Sequence, residues 1–94
     1  MTDMGYVIVR SWQSGVWCGR LLWRDNDAVK LDDARKIWRW RGANTTVEIA
    51  LSGISKEFSR VTRPVDGAVV LGVCEVLPAT DEAVAAIASC GWAQ

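Results

Sequence analysis

The 94-residue chain carries eleven basic and eleven acidic residues, six tryptophans, three cysteines and no histidine, and half of it is hydrophobic. That length makes one small domain, residues 1–94, with a modest core, and the hydrophobic share excludes a disordered segment. Zero net charge argues against coating nucleic acid by bulk electrostatics, and the missing histidine excludes a Cys/His nucleophile.

Residues 6 to 12, Tyr-Val-Ile-Val-Arg-Ser-Trp, are β-branched and aromatic and predict a strand, with Gln13-Ser14-Gly15 as its turn. Val16 to Trp23 predicts a second strand, closed by the polar turn Asp25-Asn26-Asp27. Ala28 to Leu31 begins another extended stretch, broken or bulged near Asp32-Asp33, and a strand from Ala34 to Trp40 follows. Asn44 or Thr45 is positioned to cap a short helix whose apolar side is Val47, Ile49, Ala50 and Leu51, stopped by Ser52-Gly53. Residues 54 to 63 read as a loop rich in serine and basic residues. Ala68 to Leu77 reads as one buried strand ended by Pro78, and Thr80 caps a final helix from Asp81 to Ser89, with Gly91 as its stop. The expected fold class is α+β, a curved antiparallel sheet with two short helices.

The cysteines, Cys18, Cys74 and Cys90, are odd in number and widely spaced, which excludes a paired-cysteine zinc site. Cys18 and Cys74 lie in apolar contexts and are expected as small buried hydrophobes. No secretory leader and no apolar run of membrane-spanning length is read, so a reducing cytoplasmic setting without membrane contact is expected. Charge is unevenly placed: residues 1–63 hold every Lys and Arg, whereas residues 64–94 hold only acids, Asp66, Glu75, Asp81 and Glu82. Such asymmetry suits either a polyanionic ligand at one pole or complementary contacts between subunits.

Catalysis has little support. Asp32 and Asp33 are adjacent and would point to opposite faces of a strand, Asp25 and Asp27 belong to a turn, and Gly15 and Gly19 lack the Lys-Ser/Thr of a phosphate loop. No catalytic residue, metal site or cofactor is expected. Binding chemistry concentrates instead in Arg35-Lys36-Ile37-Trp38-Arg39-Trp40-Arg41, which has four cations, two indoles and no acid. Guanidinium groups bind phosphate through two parallel hydrogen bonds, and indole faces stack on bases. As a strand, the segment would set Arg35, Ile37, Arg39 and Arg41 on one face and Lys36, Trp38 and Trp40 on the other. These residue types suit a core face as well as a ligand platform. Arg10 beside Trp12, and Arg60 and Arg63 around the polar loop, could add phosphate contacts.

Three blocks carry a resemblance: Val-Ile-Val-Arg-Ser-Trp-Gln-Ser-Gly-Val-Trp-Cys-Gly (7–19), Ala-Arg-Lys-Ile-Trp-Arg-Trp-Arg-Gly-Ala (34–43) and Cys-Glu-Val-Leu-Pro-Ala-Thr-Asp-Glu-Ala (74–83). In order, spacing and total length they resemble the first-described Thoeris anti-defence proteins, phage sponges for bacterial immune signals. The resemblance implies a non-enzymatic protein of the bacterial host cytoplasm that sequesters cyclic ADP-ribose isomers. It also implies binding of CBASS cyclic oligonucleotides at a separate site in some members. The implied assembly is a homo-oligomer, a dimer with ADP-ribose-type pockets at its interface or a hexamer built from dimers. Arg10, Gly15, Arg35, Trp38, Trp40, Gly42 and Ala43 fall on the family pattern. The chain departs from it at Trp12, where Tyr is common, at Trp17, and at Arg60-Val61, where a Lys-Phe pair is frequent. Arg10, Gly15, Trp17, Arg35, Trp38, Trp40, Arg60 and Arg63 are accordingly the candidate ligand-binding residues. The alternatives are a nucleic-acid-binding or host-factor-binding phage module, and a structural assembly protein whose tryptophans serve only subunit contacts.

Overall fold

A computed structural model describes residues 5–90. Runs rich in β-branched and other apolar residues form β1 (Tyr6–Ser11), β2 (Gly15–Asp25) and β3 (Ala28–Arg39), an antiparallel meander as expected. Then follow α1 (Thr46–Ser52), β4 (Arg60–Val61), β5 (Ala68–Val70), β6 (Val73–Pro78) and α2 (Asp81–Ala88). The sheet order is β4-β3-β2-β1-β6, with β5 paired to the same strand β3 that carries β4. The fold is therefore α+β, with one antiparallel sheet and two short helices.

Turn and bulge chemistry sets the register. Ser11 Oγ accepts from the backbone N–H groups of Gln13 and Ser14 and closes the β1–β2 turn. Asn26, at φ 53, lets β2 fold back as β3, a left-handed position that asparagine tolerates. The expected irregularity at Asp32-Asp33 is a bulge inside β3: Cys18 pairs with Arg35 and Arg20 with Asp32, leaving Asp33 and Ala34 opposite Gly19. A Cβ on Gly19 would lie 2.8 Å from Asp32 O, so only glycine lets the backbones approach this closely. The bulge is tied down reciprocally: Gly67 N–H donates to Asp32 Oδ1 and Asp33 N–H to Asp66 Oδ1, each at 2.8 Å.

Three expectations are corrected. The apolar run from Ala68 to Leu77 is not one buried strand: it breaks at Leu71-Gly72, where Gly72 adopts φ 70. Its halves join opposite ends of the sheet, β5 on β3 and β6 on β1, so the sheet is curled enough for two residues to connect them. Val69 and Leu71 are exposed as a result, and so is Cys74, the unpaired residue of a bulge between Arg10↔Glu75 and Ser11↔Val73. Cys18, in contrast, is fully buried. Within 54–63, where a loop was expected, β4 pairs Val61 with Ile37.

Apolar residues fill both faces of the sheet. Ile8, Cys18, Ile37 and Val61 face the helices and pack with Ile49 and Ile87. Val7, Val9, Leu21, Val29 and Leu31 form a second cluster on the other face, joined by Val70 of β5, which pairs with Val29. Each fully buried Ile contributes roughly 1.5–3 kcal/mol. The helices start as predicted: Thr45 Oγ1 accepts from Glu48 N–H and Thr80 Oγ1 from Ala83 N–H. Thr80 also locks the helices together, because its N–H donates to Ala50 O and its hydroxyl to Leu51 O. Gly91 lies outside the described residues. Among the described residues no helix is long and apolar enough to cross a membrane.

Candidate functional site

The register lines up one row of residues across the helix-side face: Val61, Ile37, Val16, Arg10 and Glu75, on β4, β3, β2, β1 and β6 in turn. The row is apolar under the helices and charged where it leaves them. At that transition lies a cavity of about 470 Å³, floored by Val16, Arg10 and Glu75 and walled by Trp40 and by Asn44 to Val47. Its size falls within the range of roughly 300–1,000 Å³ found for small-molecule sites.

Local structure fixes each wall. Trp40 lies just beyond β3 and packs against the helix-side core. Strict alternation would have placed it with Trp38 on the other face, but the register shifts between Ile37 and Arg39. Two bonds hold the segment there: Ser55 N–H donates to Arg41 O at 2.7 Å and Arg41 N–H to Ser59 Oγ at 3.1 Å. The opposite wall is the first turn of α1, where Glu48 reaches back to accept from Asn44 N–H at 2.7 Å. Thr46 donates its hydroxyl hydrogen bond to Glu75 Oε1, joining the helix to the floor. Arg10 and Glu75 are direct cross-strand neighbours on one face, yet no ion pair joins them among the described residues.

Of the residues singled out from sequence, Arg10 and Trp40 meet at this cavity, and Gly15, Trp17, Arg35, Trp38, Arg60 and Arg63 do not line it. Gly15, Trp17 and Lys36 gather on the opposite face. There Lys36 Nζ sits 5.9 Å above the Trp17 ring, and Trp17 Nε1–H donates to Ser14 O at 3.1 Å. Trp38 is 50 % exposed. Arg60 and Arg63 are exposed, at β4 and just after it, and Arg60 Nη1–H donates to the adjacent Ser59 O. Val61 is fully buried beside Ile37, so its side chain serves the core.

Arg35 is only 7 % exposed, on the helix-side face. Its Nε–H donates to Thr62 O at 2.8 Å, while Nη2 has no hydrogen-bond partner. Burial pushes the Cys18 thiol up to about 11, although the nearby Arg35 charge pulls in the other direction. Burial likewise raises Tyr6 and Cys90, each partly opposed by Arg35. These thiols are held protonated, not poised as nucleophiles.

Sequence reasoning missed Glu75, Thr46, Val47 and Val16 as cavity residues. Val47 was visible as an apolar residue on a short helix, but nothing local in sequence announces Glu75, whose place depends on β1–β6 pairing. Among the described residues no group of three His, Cys, Asp or Glu converges to hold a metal ion.

A family model described as a domain of unknown function, DUF6948, matches residues 4–87. The chain belongs to that family. No curated protein and no solved structure matches it.

Proposed function

We propose that this protein is a phage-encoded sponge that binds a bacterial immune-signalling nucleotide, a cyclic ADP-ribose isomer, in the Arg10–Trp40 cavity without cleaving it. The carrying observation is the convergence of one guanidinium and one indole, from separate elements, on a cavity of about 470 Å³. Arg10 would neutralise phosphate and Trp40 would stack on the base. The cavity's two ionisable groups favour binding over cleavage: a guanidinium does not release its proton, and one carboxylate alone does not make an acid–base pair. The resemblance of the 7–19, 34–43 and 74–83 blocks to the Thoeris anti-defence proteins supports the same reading. It extends to a homo-oligomer in the host cytoplasm, where Trp12, 79 % exposed, and Leu71 are apolar surface available for subunit contacts.

The test is thermal unfolding with cyclic ADP-ribose, followed by analysis of the nucleotide released on heating. At a hundredfold excess over Kd the ligand stabilises by about 2.7 kcal/mol. That corresponds to a Tm rise of roughly 10 °C or more in so small a domain. Arg10→Ala and Trp40→Ala should each abolish the rise, and the nucleotide should be recovered intact. A hydrolysed product, or a shift indifferent to both substitutions, overturns the proposal. Native mass spectrometry of the same samples reports subunit number and ligand stoichiometry together.

A further inference from the structure

We propose that the sheet face opposite the helices carries a second site, centred on Trp38, that holds a short run of single-stranded nucleic acid. This site is separate from the Arg10–Trp40 cavity and does not depend on what fills it. The register of β3 builds it. Val61 lies opposite Ile37 but Arg60 lies opposite Arg39, so Trp38 and Arg39 together face one residue of β4, a bulge of the kind that re-aims side chains. Ile37 and Val61 are buried toward the helices, and alternation from them turns Lys36, Trp38 and Arg60 to the outer face. Arg39 joins them as the cross-strand partner of Arg60. Lys36 and Thr62 form the next row: Lys36 N–H donates to Thr62 Oγ1 at 2.9 Å and Thr62 N–H to Lys36 O at 3.0 Å.

Trp38 is 50 % exposed, Arg39 and Arg60 are exposed, and Trp17 holds the Lys36 ammonium 5.9 Å above its ring. The Trp38 indole therefore has cations on both sides along β3. Lys36 lies two residues before it, about 6.7 Å along the strand, and Arg39 follows it directly with Arg60 alongside. None of these paired positions is acidic. An indole face stacks on any base, and only in a chain do phosphates both precede and follow that base. Cations flanking the indole on both sides therefore fit a strand better than a mononucleotide. A duplex keeps its base faces inside the stack, which leaves unpaired strands as the class that can use Trp38. An acidic peptide would satisfy the cations but leave the indole unused. Three cations make a local contact and not a coat, so zero net charge does not oppose it.

The experiment is fluorescence anisotropy of a labelled oligo(dT) of about ten nucleotides, with a duplex of equal length as control. Wild type should bind the single strand at least about tenfold tighter than the duplex. With three cations engaged, affinity should fall roughly twentyfold between about 50 and 200 mM salt, a log–log slope of about −2. Trp38→Ala should weaken binding about tenfold, and Trp38→Phe should restore most of it, because stacking needs a ring face. Arg39→Gln and Arg60→Gln should each flatten the slope by about 0.7. Arg10→Ala, at the separate cavity, should leave oligonucleotide binding within about twofold. No binding by wild type overturns the proposal. So does binding indifferent to Trp38, which marks a general polyanion surface, and binding lost with Arg10→Ala, which puts the strand in the cavity. A Trp38→Ala substitution that instead splits a dimer marks this face as a contact between copies and overturns it too. If oligo(dT) binds through Trp38 but cyclic ADP-ribose does not bind at all, this site stands and the cavity reading falls.

Discussion

Gly53 is the position where one added methyl group should do most damage. It stops α1 at φ 83, ψ −157, a region that is essentially glycine-only and strains any other residue by about 1–3 kcal/mol. A Cβ built there would sit 2.4 Å from Ala86 Cβ and 3.3 Å from both Ala83 Cα and Ala83 O. The glycine is thus both a chain terminator and the contact that lets α1 rest against α2. Overpacking of this kind costs about 1–3 kcal/mol more as the helices separate. Gly53→Ala should therefore lose roughly 2–6 kcal/mol, a large part of the ~5–15 kcal/mol that holds a small domain folded. Urea unfolding followed by tryptophan fluorescence measures it, with a Tm fall of about 10 °C or more as the thermal counterpart. The two contributions separate in a double-mutant cycle. Ala86→Gly alone costs about 1 kcal/mol of helix propensity, but combined with Gly53→Ala it removes the colliding methyl and should restore the overpacking part. A Gly53→Ala protein within about 0.5 kcal/mol of wild type, or a cycle without coupling, refutes this account of the helix pair.

Arg35→Met should stabilise the fold by about 1–3 kcal/mol, because an unpaired buried cation is replaced by an apolar side chain of similar length. Thr62, whose carbonyl loses the Arg35 hydrogen bond, is itself only partly buried. The variant should also retain the ligand-induced Tm rise, since Arg35 does not line the cavity; destabilisation beyond about 1 kcal/mol, or loss of the rise, contradicts this. The pH response follows from Cys18, whose folded pKa lies above its unfolded value. Its contribution is complete below the thiol's ordinary 9.0 and is lost as pH climbs through about 11. Between pH 7 and pH 10, Cys18→Ala should lose roughly 1 kcal/mol less stability than wild type in paired urea titrations. An identical loss in both proteins would show that Cys18 is not the group being titrated.

How far the sequence could be read depends on whether each signal is local. The caps at Thr45 and Thr80 follow from side-chain geometry within four residues, and the Asp32-Asp33 bulge follows from acidic residues interrupting an apolar alternation. Arg35 shares a β3 face with Ile37, as alternation predicts, and burying that face buries the guanidinium with it. Alternation fails at Trp40, because the register slip against β4 is a property of two strands about twenty residues apart. Ala68 to Leu77 failed for a different reason. A β-branched apolar run satisfies one strand or two equally well, and Gly72 marks the break only once β5 and β6 are seen to seek opposite ends of a curled sheet. The candidate site inherits both limits. Arg10 and Trp40 were legible as chemistry, a cation and an aromatic face, but their meeting with Glu75 requires β6 to lie beside β1 and α1 to close over the row. Residue types thus indicated which groups could bind a nucleotide, while long-range pairing decided which of them share a cavity. That is why Glu75, invisible as a candidate from its own neighbours in sequence, nonetheless lines the cavity beside Arg10.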